Sequence, residues 1–420
     1  MAQPKPRGWG PGSRGSRRSP NRRMPTLRDV EAAAKRRIPD FAFGFVHGGT
    51  GDDVGVARNR AALDGVEIVP RYGSPAPVQT GVTLFGQPYA SPIGIAPTGL
   101  DGVIWPGATH CLARTAAKAA IPYIVGMFAT APIEEVARLC PESVWLQLYG
   151  FPRDEQAVVF DVIRRAESAG VHAIVPTLDA PARSKRPQDL RNGFVVPFRP
   201  NLWTALQVLT SPAWALALMR AGRPGFKNME PYVQPDPTWE RTAVFAQDSL
   251  VGTFSWEEIK RMRDAWPRAL VVKGVMHPED AERAVAAGVD GILVSNHGGR
   301  QSDAAPGAID VLPAIKAAVG TRATVLFDSG IRSGLDAARA IALGAEAVFC
   351  GRAFLLGLAA LGDSGGDYIA EMLTDELRVA MAQHGAHSIA ELRAATVRHP
   401  AAWTFAKTGP VPLREASSRS

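Results

Sequence analysis

Short apolar runs alternate with stretches of helical period along most of this chain. From residue 91 onward one unit repeats: five to seven mostly apolar residues end in a polar residue or a glycine, and an amphipathic stretch follows. Eight such runs stand at 93–97, 123–127, 144–149, 173–179, 270–274, 291–296, 324–328 and 347–351. They are apolar at consecutive rather than alternate positions, which predicts strands buried on both faces, as in a parallel sheet covered by helices. The stretches between them, such as 155–169 (EQAVVFDVIRRAESA), 278–287 and 335–343, predict those helices. Eight strand–helix units predict an α/β fold, a (β/α)8 TIM barrel, rather than an open doubly wound sheet with fewer strands.

The spacing has one gap. Some 90 residues separate the fourth run from the fifth, far more than one crossover helix needs. An insertion over about 180–255 is therefore expected on the C-terminal face, where barrel sites are built. The expected organisation is a basic disordered tail over 1–23, a helical cap and lead-in over 24–90, the barrel over 91–395, and a tail over 396–420. Within the insertion, 202–219 (LWTALQVLTSPAWALALM) is apolar, and 191–227 holds five basic residues and no acid. Pro212, Gln207 and two threonines argue against a membrane-spanning helix. An interfacial membrane contact through 200–227 and a helix packed on the barrel or another subunit both remain open.

Charge sharpens this picture. The net charge is +7, and residues 1–23 alone carry seven basic side chains and no acid, so the other 397 residues are formally neutral. The basic character belongs to a tail too poor in apolar residues to fold, or to an extension upstream of a start at Met24. A neutral body argues against nucleic acid as a partner. Three widely spaced cysteines, Cys111, Cys140 and Cys350, exclude a disulfide framework and lack zinc-ligand spacing, so no metal is expected. The expected location is cytoplasmic, at most at the inner face of a membrane.

Polar residues and glycines collect at the strand ends: Ala96-Pro97-Thr98-Gly99, Gly126, Gln147 and Tyr149, Thr177 and Asp179, Lys273, Ser295-Asn296-His297, Asp328-Ser329-Gly330 and Gly351-Arg352. A single glycine after a strand is usually a turn, and a lone histidine is usually structural. Eight such ends converging predict one large site. The last two units, Asp328-Ser-Gly-Ile331-Arg332 and Gly351-Arg352, each lead into a helix, which suits a phosphate-bearing cofactor held by helix N-termini and two guanidinium groups. Lys273 offers an amine or a cation for a cofactor. His297 and Arg300 offer a base and a guanidinium fork for a carboxylate.

The motifs SNHGGRQ, VVKGV, IAPTG, LQLY and LFDSGIRSGLDAARAIALGA…GR together resemble the FMN-dependent α-hydroxy acid oxidase and dehydrogenase family, in the family's order and over about residues 27–395. That resemblance implies oxidation of an L-2-hydroxy acid, lactate- or mandelate-like, to the 2-oxo acid with FMN as cofactor. It implies His297 as the active-site base, Asp179 as the carboxylate that orients it, and Tyr149 as a hydrogen-bond partner of the substrate. Arg186 and Arg300 match the carboxylate-binding arginines, and Lys273 matches a cation beside the flavin ring. Ala96, Pro97, Thr98, Gly99, Gly126, Gln147, Thr177 and Ser295 match flavin contacts. Asp328, Ser329, Gly330, Ile331, Arg332, Gly351 and Arg352 match ribityl and phosphate contacts.

Some positions depart from the family's pattern. Phe45 stands where a cap tyrosine usually meets the substrate carboxylate, and Gly126 where many members carry serine. With Phe128 and Gly99 they suggest a roomier, more apolar pocket, against a neutral reading in which the usual small substrate is kept. The electron acceptor is expected to be quinone, with oxygen as the alternative, and the family implies a homotetramer. A non-catalytic flavin-binding protein would have lost His297, Arg300 or Lys273, and all three are present.

Overall fold

A computed structural model describes residues 23–73, 76–194, 201–233, 235–249 and 252–405 of the chain. The expected disordered tail and most of the expected C-terminal tail lie outside the described residues. The eight predicted runs form eight parallel strands: β1 (Ile93–Ile95), β2 (Tyr123–Gly126), β3 (Val144–Leu148), β4 (Ala173–Pro176), β5 (Ala269–Val275), β6 (Gly291–Val294), β7 (Thr324–Phe327) and β8 (Ala347–Cys350). They pair in chain order, and β8 closes on β1 with Val348 opposite Ile93. The fold is thus a closed (β/α)8 barrel.

The barrel has two cores, separated by the period of two along each strand. Ile124, Trp145, Val175, Val271, Leu293, Leu326 and Phe349 point into the lumen, and their neighbours Val125, Leu146, Ile174, Val272, Val294, Phe327 and Cys350 pack outward among the helices. A hairpin of Val82–Leu84 and Gln87–Tyr89 plugs the N-terminal end. Its turn residue Phe85 adopts φ +49°, and its ring sits 5.5 Å from that of Trp145, whose Nε1 donates to the Tyr89 hydroxyl at 3.1 Å. Gly291 makes room for that plug, because a Cβ there would lie 2.7 Å from the Phe85 ring.

Continuing the inward parity toward the C-terminal ends of the strands leads to Gly126, Gln147, Thr177, Lys273, Ser295, Asp328 and Gly351. A greasy lumen at one end therefore becomes a polar floor at the other, and the alternation alone aims these side chains at the same space.

The helices Leu27–Lys35, Asp40–His47 and Val54–Asp64 precede the barrel, the first capped reciprocally by Thr26 and Asp29. The helix expected over 155–169 begins later. Arg153–Gln156 is a 3-10 turn, and the α-helix runs Ala157–Ser168. Gln156 takes φ +68° because its side chain is engaged elsewhere, accepting from the Phe151 amide at 2.6 Å and donating to Glu258 at 2.8 Å.

Between β4 and β5 the apolar stretch 202–219 is two helices, Leu202–Leu209 and Pro212–Ala221, bent by 100°. Pro212 has no amide to continue the first helix and opens the second instead. Trp214 is buried, its ring edge-on to Phe41 at 5.7 Å, and its Nε1 donates to the Val103 carbonyl at 3.1 Å. Gln207 accepts from the Phe41 amide at 3.1 Å. The pair thus packs on the Asp40–His47 helix while Leu202 (92% exposed), Trp203 (60%), Leu209 (77%) and Met219 (76%) face outward. Among the described residues no single helix is long and apolar enough to cross a membrane. Cys111, Cys140 and Cys350 are buried free thiols.

Candidate active site

One cavity of about 650 Å³ opens among the C-terminal ends of the strands, the Asp40–His47 helix and the segments inserted after β4. His297 stands in its wall. The residue after β6 that carries it has φ +58°, and Gly298 and Gly299 follow at +67° and +76°, so the chain turns sharply and exposes the ring. His297 Nδ1 lies 3.0 Å from Asp179 Oδ1 and 3.2 Å from Oδ2, while Nε2 lies 3.3 Å from the Tyr149 hydroxyl. With Asp179 ionised, Nδ1–H donates to the carboxylate and Nε2 keeps its lone pair toward the cavity.

The protonation states follow from burial and neighbours. Burial lowers the His297 pKa below its ordinary value and Lys273 lowers it too, although Asp179 opposes both. Asp179 is held below the usual carboxylate range, because His297 and Lys273 outweigh the cost of burying it. Burial raises the Tyr149 phenol, which stays protonated and able to donate. Burial would lower Lys273, yet Asp328 and Asp179 leave it above its ordinary value. Its Nζ donates to Ser295 Oγ at 2.7 Å and lies 3.1 Å from Asp328 Oδ2. Gly274, at φ +91°, admits the Asp179 side chain, which a Cβ there would meet at 2.6 Å.

Beside the exposed Arg183, four arginines crowd the cavity: Arg186, Arg300, Arg332 and Arg352. Burial depresses each of them, and they repel one another; Arg352 is brought down to about 9 by burial, then by Arg332 and Arg186. Among the described residues none of the four is within 4 Å of a carboxylate. Among the described residues Arg186 Nε is buried without a hydrogen-bond partner, and the Arg332 guanidinium reaches only its own loop's Ile331 carbonyl at 3.3 Å. Arg300 donates to the Gly48 carbonyl at 2.5 Å and lies over the Phe45 ring at 5.5 Å. Arg352 reaches the carbonyls of Val46, Gly298 and Gly48. A buried cation without a counter-charge is costly. Such a cluster suits anionic groups on a ligand, one near each pair.

The expected cofactor residues divide into two sets. Ala96, Pro97, Thr98, Gly99, Lys273, Asp328, Ser329, Gly330, Ile331, Arg332, Gly351 and Arg352 line the cavity. Gly126, Gln147, Thr177 and Ser295 are buried in the layer behind it, with the half-buried base partner Asp179. Gln147 donates to Thr177 at 3.0 Å, and Ser295 Oγ accepts from the His297 amide at 3.0 Å. Gly126 leaves little space rather than a vacancy, since a Cβ there would lie 2.9 Å from the Thr98 carbonyl oxygen. The room expected beside Gly99 is partly taken by Phe128, whose Cβ would lie 3.2 Å from a Cβ at 99. Phe128 in turn stacks on Tyr149 with centroids 5.6 Å apart.

Several contributors had no signal in their own segment of sequence. Asn59 exchanges two 2.8 Å hydrogen bonds with Asn296, which also accepts from the Gly299 amide at 3.2 Å, so a cap helix pins the histidine loop. Gly299 permits that approach, because a Cβ there would lie 2.5 Å from the Val56 nitrogen. Phe194 and Phe226, from the segments after β4, complete an apolar wall with Phe45 and Phe128. Position in an insertion on the barrel's C-terminal face was the one general hint for them.

Residues 34–399 match the FMN-dependent dehydrogenase family. The chain belongs to that family. It is an FMN-dependent α-hydroxy acid oxidoreductase, and the anion-hungry cavity with its buried arginines and glycine-rich loops fits FMN. The chain is 37% identical over 366 residues to the L-lactate dehydrogenase of Chromohalobacter salexigens, covering 87% of this chain and 93% of that one. It is 35% identical over 371 residues to the L-lactate oxidase of Lysinibacillus sphaericus, covering 88% and 91%. The fold superimposes on the crystal structure of the monotopic membrane protein (S)-mandelate dehydrogenase with a TM-score of 0.84 and 33% identity, covering 90% of this chain and 99% of that one.

Proposed function

We propose that the protein oxidises an L-2-hydroxy acid with an apolar, mandelate-like C2 substituent to the 2-oxo acid, with His297 as the base. The observation that carries this reading is the position of His297. It sits between Asp179 at 3.0 Å and Tyr149 at 3.3 Å, on a cavity that also holds Arg186 and Arg300, which have no carboxylate within 4 Å among the described residues. Arg186 and Arg300 bind the substrate carboxylate, which gives these cations a hydrogen-bonded counter-charge beside the more distant Asp189. Tyr149 donates to the substrate hydroxyl and holds it toward Nε2. His297 Nε2 accepts one proton, and Asp179 stabilises the imidazolium that results. Lys273, Arg332 and Arg352 would hold FMN, the last two at its phosphate. FMN, when bound, would supply the acceptor for the two electrons and the second proton that leave the substrate.

Phe45, Phe128, Phe194 and Phe226 favour an aryl or other bulky C2 group over a methyl. The similarity to a mandelate dehydrogenase supports the same choice. For the oxidising half-reaction the proposed acceptor is a quinone taken from a membrane surface. The outward Leu202, Trp203, Leu209 and Met219, with Arg220, Arg223 and Lys227 nearby, are suited to an anionic lipid interface. The alternative acceptor is oxygen, with hydrogen peroxide as product, and the relationship to a lactate oxidase favours testing it.

The test is a panel of 2-hydroxy acids added anaerobically to the FMN-loaded enzyme, followed by turnover with oxygen and with a soluble quinone analogue. Mandelate is expected to bleach the flavin faster than lactate, and quinone is expected to outpace oxygen. Failure of every 2-hydroxy acid to bleach it overturns the activity. Stoichiometric peroxide at the quinone rate overturns the acceptor. Sedimentation with anionic phospholipid vesicles, abolished in a Leu202→Ser, Leu209→Ser double variant of unchanged turnover, checks the membrane face.

A further inference from the structure

Asp101 is a buried carboxylate that the reaction outlined above leaves without a role. It is 1% exposed and lies just past the β1 loop, where Leu100 takes φ +52°. Oδ1 accepts from the Gly102 amide at 3.0 Å, the Thr130 amide at 3.1 Å and the Thr130 hydroxyl at 2.8 Å. Oδ2 accepts from the Thr109 hydroxyl at 2.6 Å. Two backbone amides and two hydroxyls converge on it; burial raises its pKa above the usual carboxylate range, and these four bonds pull it back down in part. Among the described residues no cation pairs with it. Burying an unpaired charge is unfavourable for folding, so these four bonds are poorly explained by stability alone.

The bonds join two loops that both border the cavity. Thr98, Gly99 and Leu100 follow β1, and Phe128 follows β2. The Leu100 amide also donates to the Phe128 carbonyl at 2.8 Å. The loops are in close contact, since a Cβ at Gly102 would lie 2.7 Å from Thr130 Oγ1. Phe128 carries the effect inward, because it stacks on Tyr149, whose hydroxyl faces His297.

We propose that Asp101 is a positioning residue that clamps the β1 and β2 loops together, setting Gly99 against the flavin and Phe128 against the substrate and Tyr149. The inference rests on the reading of this cavity as an FMN and hydroxy acid site. Its ligand-binding readout uses phenylacetate, a carboxylate that lacks the hydroxyl and cannot be oxidised.

Asp101→Asn keeps the volume but removes the charge and turns an NH2 toward the Thr109 hydroxyl, which must rotate from donating to accepting. Thr109→Val removes one donor from a helix that does not line the cavity. Both FMN-loaded variants are compared with wild type in FMN affinity, visible flavin spectrum, phenylacetate dissociation constant and anaerobic flavin reduction. FMN affinity is expected to stay within about threefold, because the phosphate loops are untouched. The flavin spectrum is expected to shift, and phenylacetate to bind about tenfold more weakly in Asp101→Asn and about threefold more weakly in Thr109→Val. Flavin reduction is expected to slow in the same order. An unchanged spectrum with unchanged phenylacetate binding overturns the proposal. So does a loss confined to FMN affinity or thermal stability, which marks a merely structural residue. If Asp101→Asn does not fold, Thr109→Val decides by the same criteria. A wild type that binds FMN but not phenylacetate refutes the substrate reading instead, and the spectral comparison then decides the clamp.

Discussion

Replacing Asp179 by Asn tests the central pair most directly. The substitution keeps size and a hydrogen-bonding group beside His297 Nδ1, and removes the negative charge 3.0 Å away. The two side chains are only 17% and 13% exposed, so water screens the pair little. At an effective dielectric constant of about 20, unit charges at that separation attract by roughly 5 kcal/mol. This attraction exists only once the imidazole is protonated, so it lowers the barrier rather than the energy of the resting state. Allowing for the dipole that Asn retains, about 3–5 kcal/mol is lost, or roughly 10²–10⁴-fold in rate. The assay is anaerobic stopped-flow reduction of bound FMN at saturating hydroxy acid from pH 5 to 9. The wild-type rate is expected to rise with pH through a limb below the ordinary histidine value, because burial depresses His297, and then to stay level. Asp179 raises the His297 pKa, so its removal should move that limb to lower pH while the plateau falls. A plateau within threefold of wild type, with FMN bound, would refute the proposed role of the carboxylate.

Three further substitutions probe other parts of the site. Arg332→Met should weaken FMN binding about 100-fold through lost charge-assisted bonds to phosphate, yet leave the apoprotein as stable or more so, since it removes a cation that burial and Arg60 disfavour and that Glu31 and Asp336 offset only from beyond ion-pair distance; fluorescence titration and thermal melts of both forms check this, and a destabilised apoprotein contradicts it. Phe45→Tyr, beside Arg300, should tighten binding of the substrate carboxylate about tenfold, read as the dissociation constant in flavin reduction; no change would place Phe45 away from the carboxylate. Asn59→Ala removes two of the hydrogen bonds that hold Asn296 and should cut the rate of flavin reduction about tenfold or more with little effect on FMN affinity; an unaltered rate would mean that the histidine loop holds itself.

Legibility differed by element for physical reasons. The strands were readable because a barrel strand is buried on both faces and leaves an unbroken apolar run. Their polar ends were readable because the same parity that fills the lumen carries on to Lys273, Ser295 and Asp328. The start of the helix after β3 was not, since nothing in EQAVV says that Gln156 will spend its side chain on Phe151 and Glu258. The apolar stretch at 202–219 looked like one segment, and Pro212 marked a break without stating a 100° bend.

The sequence by itself determined the barrel, the residues offered at each strand end and the family, since these rest on local period and short motifs that survive without knowledge of neighbours. Only the tertiary structure decided which groups meet. Asn59 reaches Asn296 across 237 positions, Asp179 meets His297 across 118, and Thr130 closes on Asp101 across 29. Burial, which lowers the arginines and the histidine together, arises from the whole assembly of cap, barrel and inserted segments. Contacts and dielectric surroundings of this kind are properties of packing, and no stretch of chain carries them alone.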